Sequence, residues 1–199
     1  MEIWLVRHGE TEWSKSRRHT GRTDLPLTHR GEAEAAAAGR RIGDHAFAAV
    51  FSSPLHRALD TARHAGFGDR VELSHLLVEY DYGDYEGLTR AEILERDPRW
   101  NLWRDGCPGG EVPEEVAARG RRFLSGLDED GGDVLVFGHG HALRMLAAVY
   151  FGMPLTSAGA LRLESGSISI LGHEHDHRAV LLWNEDFTRL VEPAPLLDV

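Results

Sequence analysis

The feature that most constrains this chain is a pair of short apolar runs that each lead into a His-Gly dipeptide. Residues 3–6 are followed by Arg7-His8-Gly9, and residues 134–137 are followed by Gly138-His139-Gly140. Runs of this length, partly β-branched and bulky, predict buried strands. In open α/β sheets the carboxyl ends of the strands form the crevice where ligands bind. The runs therefore predict two histidines in one crevice, although a strand end that merely reaches solvent would also tolerate Arg and His.

Between and after these runs, helix-like and strand-like segments alternate. Thr28 is the predicted N-cap of an Ala- and Glu-rich helix to about Ile42, and Ser53 is the predicted N-cap of a second helix through Ala65. This alternation predicts an α/β fold, a three-layer α/β/α sandwich with a mostly parallel mixed sheet, as one domain over residues 1–199. Further strand-like runs occur at residues 47–51, 71–73, 160–163, 167–171 and 179–183.

Charge and composition narrow the classes of partner. The formal net charge is −10 at pH 7, which argues against nucleic acid or an anionic membrane as the main partner. The sequence has no long uncharged apolar run and no basic-then-apolar leader, so we expect a cytoplasmic protein without a membrane partner. Cys107 is the only cysteine, and it is expected to be structural because no paired base is evident beside it.

Two further segments are expected at the same crevice. Arg57 lies in the first turn of a predicted helix, close to a third strand end. Residues 76–88 are too aromatic and acidic for a linker and too rich in glycine for a helix, so they predict an ordered loop that supplies Glu79 or Glu86. Two arginines beside two histidines fit together when an anion lies among them, and guanidinium forks match phosphoryl oxygens. The constellation therefore predicts a phosphoryl site.

The same segments resemble the histidine phosphatase superfamily, in its phosphoglycerate mutase-like branch. The resemblance runs from residue 3 to about residue 150, with the motifs in the family's order. It is closest to sedoheptulose bisphosphatase-like members and related small acid phosphatases. A three-residue motif alone would be weak, but the whole ordered set is specific. The motifs are RHGET at 7–11, TGRTDLPLT at 20–28, SSPLHRALDTA at 52–62, EYDYGDYEG at 79–87 and GHGH at 138–141.

The resemblance implies a reaction that needs no metal and no cofactor. His8 would attack phosphorus and become a phosphohistidine, while Glu79 would protonate the leaving alkoxide and then activate water. Arg7, Arg57 and His139 would hold the phosphoryl oxygens. The substrate contacts expected from the flanking segments are Ser14, Thr20, Gly21, Arg22, Tyr82, Arg104 and Gly140.

The function implied is hydrolysis of phosphomonoesters of small metabolites, with sugar phosphates as the best fit. Arg22 stands where mutases often have Trp, and His141 stands where they have Asn, which favours hydrolysis. Phosphoglycerate mutase is the alternative, and a phosphoprotein or phosphohistidine phosphatase in signalling is the alternative of another class. Lys15, Arg22 and Arg104 are candidates for holding a second phosphate, although exposed basic residues are usually just solvated.

The predicted C-terminal hairpin carries two more expectations. An edge strand near it could pair between chains, which would give a homodimer. Residues 173–177 hold alternating histidines, but they lie at the predicted end of the hairpin. We therefore expect polar turn chemistry there and no metal site.

Overall fold

A mixed six-stranded sheet is the middle layer of the computed structural model, which describes residues 1–186. The sheet order is β3-β2-β4-β1-β5-β6. The first four strands in this order run parallel, β5 runs antiparallel to β1, and β6 runs antiparallel to β5. The mixed, mostly parallel sheet expected from the sequence is confirmed. The strands are β1 Ile3–Arg7, β2 Ala49–Ser52, β3 Val71–Leu73, β4 Val134–Gly138, β5 Ile168–Glu174 and β6 His177–Glu185.

Helices cover both faces of this sheet. α2 and α3 pack on one face and α6 and α7 on the other, which confirms the three-layer sandwich. α2 begins where the Thr28 side chain accepts a hydrogen bond from the Gly31 N–H, as expected for an N-cap. The helices are α1 Glu12–Lys15, α2 His29–Ile42, α3 His56–His64, α4 Arg90–Arg96, α5 Leu102–Asp105, α6 Pro113–Ser125 and α7 Gly140–Tyr150. Short 3-10 helices occur at Gly68–Arg70, His75–Leu77, Gly83–Tyr85 and Leu155–Ala160.

The central strands are buried on both faces, which explains their continuous apolar runs. In β1, Trp4 and Val6 pack toward α2 and α3, whereas Ile3 and Leu5 pack toward α6 and α7. β4 lies beside β1 in parallel register, with Arg7 opposite Gly138. The two His-Gly dipeptides therefore leave the sheet side by side.

A third apolar cluster lies outside the two faces of the sheet and orders the loop at residues 76–88. Tyr80, Tyr82 and Tyr85 from this loop pack with Trp100 and Cys107, so the ordered loop expected from the sequence is confirmed. Burial raises the pKa of the Cys107 thiol to about 12, which keeps it protonated and unreactive. The cluster forms a firm base for the loop that carries Glu79.

Two local predictions are wrong. Residues 160–163 are not a strand: the 3-10 helix ends at Ala160, and the next strand begins at Ile168, where it pairs with Val6. Ser53 is not the N-cap of α3, which begins at His56. The Asp24 carboxylate accepts a hydrogen bond from the His56 N–H at 2.9 Å. A residue distant in sequence therefore caps the α3 N-terminus in place of the neighbouring Ser53.

The C-terminal hairpin forms as expected, with residues 175–176 at its turn and His175 at a φ of 53°. Residues 187–199, the last part of the expected single domain, lie outside the described residues. Within residues 1–186, no helix is long and apolar enough to cross a membrane.

Candidate active site

A cavity of about 530 Å³ opens at the carboxyl ends of β1 and β4. Such a volume suits a small-molecule ligand. Arginines and histidines dominate its wall, with two carboxylates among them. The lining residues are Arg7, His8, Ser14, Arg17, Arg18, His19, Thr20, Glu79, Tyr82, Gly140, His141, Arg144, Arg162, Leu163 and Glu164.

His8 is held in the tautomer that a nucleophile needs. Its Nδ1 lies 2.7 Å from the Gly9 carbonyl oxygen, and because a carbonyl only accepts, Nδ1 carries the proton. Burial, together with the positive charges of Arg57 and Arg7, holds the pKa of His8 well below its usual value. The ring is therefore neutral, and Nε2 keeps its lone pair.

Arg7 presents a donor that the described residues leave without a partner. Its Nη1 donates to the Leu163 carbonyl at 2.5 Å, but its Nε is buried and has no hydrogen-bond partner within residues 1–186. A buried N–H left unpaired is costly, and a ligand that accepts from it recovers that cost. Gly140 leaves room beside this atom, since a Cβ there would lie 3.2 Å from Arg7 Nε. Arg7 and Gly140 thus bring an unpartnered donor and open space together at the cavity wall.

The loop after His8 is seated on α2 by two glycines. A Cβ on Gly9 would lie 2.2 Å from the Gly31 carbonyl oxygen, and a Cβ on Gly31 would lie 2.2 Å from that of Glu10. Neither position accepts a larger residue without backbone movement. The Gly9 N–H also donates to Thr61 Oγ1 at 3.0 Å, which ties the loop to α3.

Arg57 and His139 lie directly behind the cavity and do not line it. Arg57 Nε donates to His139 Nδ1 at 3.1 Å, while its other nitrogens donate to the carbonyls of Thr20, Gly21 and Thr23. His139 therefore carries its proton on Nε2, which lies 2.8 Å from Ser53 Oγ. Burial and the Arg57 charge hold the pKa of His139 well below its usual value.

The four strand-end side chains come together as the sequence predicts, and the His8 and His139 ring centroids are 5.3 Å apart. Direct contact of Arg57 and His139 with phosphoryl oxygens stays a prediction. It would require both side chains to exchange their present hydrogen bonds for bonds to the ligand.

Glu79 reaches the cavity at the N-terminus of α7. Its Oε1 accepts the N–H groups of Tyr80 and Ala142 at 2.9 and 2.8 Å, and its Oε2 accepts the His141 N–H at 3.0 Å. A helix N-terminus stabilises negative charge. Oε2 keeps a lone pair on which a proton can be carried to or from a ligand.

Glu86, the other acid considered from the sequence, is outside the cavity wall. Its carboxylate accepts the N–H groups of Gly21 and Thr23 at 3.0 Å. Gly21 thereby connects the loop at residues 76–88 to α3, since its N–H donates to Glu86 and its carbonyl accepts from Arg57. Of these two acids, only Glu79 lies on the cavity wall.

The residues expected to bind substrate divide into two groups. Ser14, Thr20, Tyr82 and Gly140 line the cavity. Arg22, Arg104, Gly21 and Lys15 are outside its lining.

The two arginines outside the wall are neutralised by nearby acids. Arg22 is 81% exposed and pairs with Asp81 at 2.6 Å. Arg104 pairs with Asp105 at 2.6 Å and is itself mostly exposed. The structure therefore does not support either arginine as a holder of a second phosphate in the cavity.

Several wall residues were not among the substrate contacts expected from the sequence. His141 follows the second His-Gly dipeptide, and Arg144 lies one turn further along α7, a spacing that places both on one helix face. That spacing was the readable signal. The remaining wall residues that were not expected come from loops, where the sequence offers no comparable periodicity: Arg17, Arg18, His19, Arg162, Leu163 and Glu164.

One group of side chains in residues 1–186 could in principle bind a metal, at the opposite end of the sheet. Glu2, His45 and Asp133 place ligand atoms within 4.8 Å of one another. The Asp133 carboxylate accepts the Glu2 N–H and lies 2.9 Å from His45 Nε2, and the Glu2 carboxylate accepts the Trp4 indole N–H. Hydrogen bonds within the group thus account for its geometry.

Comparison with known proteins places this cavity in a family context. The family model of the histidine phosphatase superfamily (branch 1) matches residues 3–186. An acid phosphatase of Mycobacterium tuberculosis is 40% identical over 180 residues, which is 88% of each chain. The sedoheptulose 1,7-bisphosphatase of Saccharomyces cerevisiae is 35% identical over 181 residues, covering 75% of this chain and 67% of the yeast protein.

The fold is also shared with solved structures. The product of an open reading frame of Mycobacterium tuberculosis superposes with a TM-score of 0.89 at 37% identity, covering 93% of this chain and 97% of the other. The match over nearly the whole chain includes the sheet, both helical layers and the strand ends that form the cavity.

Proposed function

The chain belongs to branch 1 of the histidine phosphatase superfamily, and we propose that it hydrolyses phosphomonoesters of small metabolites through a phosphohistidine on His8. Phosphatase activity is characteristic of this superfamily. We further propose that the substrate is a sugar phosphate and that individual residues have the roles given below. Its main support is the neutral Nε2 of His8 beside the unpartnered, buried Nε–H of Arg7.

The proposed first step transfers the phosphoryl group to the enzyme. His8 Nε2 donates its lone pair to phosphorus as the ester P–O bond breaks. Protonated Glu79 gives its proton to the leaving oxygen, so the alcohol departs neutral and Glu79 becomes a carboxylate. Arg7, which lines the cavity and has an N–H without a partner in the described residues, would donate to the phosphoryl oxygens through this step.

The second step regenerates the enzyme. Glu79 takes a proton from water as the water oxygen attacks phosphorus, and the P–N bond to His8 breaks. His8 returns to its neutral state with the proton on Nδ1, and inorganic phosphate leaves. Only protein groups and water take part in this proposed cycle.

A small substrate is supported by the cavity. Its volume of about 530 Å³ matches a metabolite, and its polar wall can bind several oxygens at once. The yeast relative is a sugar bisphosphatase by name, which supports sugar phosphates as the first compounds to assay. Trp103 of α5 contacts the His141 ring edge to face, so α5 supports this part of the cavity wall.

The proposal is tested by a substrate screen combined with trapping of the intermediate. Purified protein is assayed for inorganic phosphate release from sugar phosphates, sugar bisphosphates and phosphoglycerates, and for phosphoryl transfer between phosphoglycerates. We expect release from sugar phosphates, and a phosphoenzyme after rapid quench that is labile to acid and stable to alkali. Transfer between phosphoglycerates without net release would instead identify a mutase.

A further inference from the structure

The cavity wall formed by Tyr82, His141 and their ring neighbours has no part in the proposed phosphoryl transfer. We propose that His141, held by the positioning residue Tyr82, donates from Nε2 to a hydroxyl oxygen of the substrate's leaving group. The preferred substrates are then phosphates of polyhydroxylated alcohols, with a free hydroxyl within about two carbons of the ester oxygen. This inference rests on the proposed phosphatase function and names the group that selects among its substrates.

The hydrogen bond between Tyr82 and His141 fixes where the imidazole proton lies. Tyr82 Oη is 2.5 Å from His141 Nδ1. If Nδ1 carried the proton, the buried phenol hydrogen would have no acceptor among residues 1–186, because the phenol has no other hydrogen-bond partner there. The phenol therefore donates to Nδ1, and His141 carries its proton on Nε2.

The surroundings favour the same protonation states. Burial, followed by the nearby charge of Glu79, raises the pKa of Tyr82 well above its usual value, so the phenol keeps its hydrogen. Burial, followed by the charge of Arg144, holds the pKa of His141 well below its usual value, so the ring stays neutral. The pair therefore stays in one donor arrangement across the neutral pH range.

The His141 ring is also fixed in orientation. His19 stacks on it, with ring centroids 5.9 Å apart, and Trp103 meets it edge to face at 5.1 Å. Arg144 lies over the Trp103 ring at 4.5 Å and is anchored to the carbonyls of Ala158 and Gly159. A donor held by packing on this scale is preorganised and loses little entropy when a ligand binds.

His141 Nε2 is the unused atom of this arrangement. It has no hydrogen-bond partner within the described residues. Because the ring lines the cavity and this atom is not buried, a ligand can reach it. The backbone N–H of the same residue donates to Glu79 Oε2, which places the side chain close to the ester oxygen that Glu79 protonates. A neutral N–H at this position suits a neutral acceptor such as a hydroxyl oxygen.

The test compares three phosphates on the wild type, His141→Phe, Tyr82→Phe and the control Tyr85→Phe. Glycerol 1-phosphate and n-propyl phosphate share a three-carbon chain but differ in hydroxyl groups, and p-nitrophenyl phosphate reports phosphoryl transfer to His8. Tyr85 packs in the same loop but is absent from the cavity wall, so its change controls for loss of a tyrosine hydroxyl from this loop.

We expect the wild type to prefer glycerol 1-phosphate over n-propyl phosphate by about tenfold in kcat/KM, the worth of one hydrogen bond to a solvent-accessible ligand. His141→Phe removes the preference, Tyr82→Phe reduces it by about threefold or more, and Tyr85→Phe retains it. Nitrogen NMR of the imidazoles should show His141 protonated on Nε2 in the wild type and a mixture of tautomers in Tyr82→Phe.

Equal losses on all three phosphates in His141→Phe would overturn the inference, because a structural defect does not discriminate between them. A wild type that hydrolyses p-nitrophenyl phosphate without preferring glycerol 1-phosphate would overturn the inference alone. A wild type that hydrolyses none of the three would overturn the proposed function as well.

Discussion

The carboxyl ends of β1 and β4 carry the same His-Gly dipeptide at neighbouring positions of the sheet, yet their two imidazoles are prepared differently. His8 donates from Nδ1 to the Gly9 carbonyl, and its Nε2 is free at the cavity. His139 has both nitrogens engaged, one by Arg57 and one by Ser53. Both rings are buried, and both have a lowered pKa. The positions of the two strands therefore bring the two imidazoles close together, whereas their hydrogen-bond partners determine which ring has a free nitrogen at the cavity.

The largest expected difference between the two strand ends is in covalent chemistry. His8→Ala should lower kcat by about a thousandfold or more and abolish the acid-labile phosphoenzyme, because it removes the imidazole that is proposed to accept the phosphoryl group. His139→Ala should lower kcat by about 10- to 100-fold and still form the intermediate. Rapid-quench labelling measures both. A phosphoenzyme that persists in His8→Ala but disappears in His139→Ala would reverse the comparison.

The next largest effect concerns Glu79, the proposed proton donor in the reaction at His8. Glu79→Gln should lower kcat for alkyl phosphates by about 100-fold, because their leaving oxygen needs a proton, and should affect p-nitrophenyl phosphate far less. Glu86→Gln is the matched control on the same loop, since Glu86 bonds to backbone N–H groups outside the cavity wall. If Glu86→Gln, rather than Glu79→Gln, changes the leaving-group dependence, the acid has been assigned to the wrong residue.

Both buried imidazoles should make stability depend on pH in the same direction. Below pH about 6.5 the unfolded chain binds a proton on each ring that the folded chain does not bind until lower pH, because the folded pKa is lowered. The free energy of unfolding should therefore fall with decreasing pH, by about 1.4 kcal/mol per pH unit for each ring. Urea titrations from pH 5 to 8 measure this slope.

A variant pair isolates the contribution of one buried ring. His8→Gln should flatten the slope of stability against pH, whereas replacement of the exposed His75 by Gln serves as the control and should leave it nearly unchanged. An equal slope in wild type and His8→Gln would mean that other groups control acid stability.

The smallest effect should come from the partner that fixes the His139 tautomer. Ser53→Ala removes the acceptor of the Nε2 proton and should lower kcat by about threefold to tenfold, with a change in the imidazole nitrogen shifts of His139. Ser52→Ala is the control, because the equally buried Ser52 hydroxyl donates to a backbone carbonyl instead. Identical effects of the two substitutions on kcat would show that Ser53 acts only through stability.

The strand-end half of the site was predictable because its geometry follows from a local pattern. Once residues 3–6 and 134–137 are recognised as buried parallel strands, the sheet itself brings their following residues together. Ser53 shows the limit of local patterns. Its sequence context is typical of an N-cap, but its hydroxyl lies at His139, and Asp24 satisfies the α3 terminus from 32 residues away.

The pairing of Tyr82 with His141 was not predictable, since loop packing creates it. Tyr82 and His141 are separated by 59 residues, and no periodicity connects them. The basic residues chosen as phosphate contacts illustrate the converse error. Arg104 is followed directly by Asp105, whose carboxylate pairs with it, so the sequence did contain a reason to leave that residue out.

The close contact of Gly9 and Glu10 with Gly31 of α2 has a consequence for how the protein loses activity on heating. The segment after His8 packs tightly against α2, and the hydrogen bond from the Gly9 N–H to Thr61 also ties it to α3. Such a segment does not open by itself, because local opening would break contacts with both helices at once. Thermal inactivation should therefore coincide with melting of the sheet and its helical layers, without an earlier temperature range in which the protein is folded but inactive.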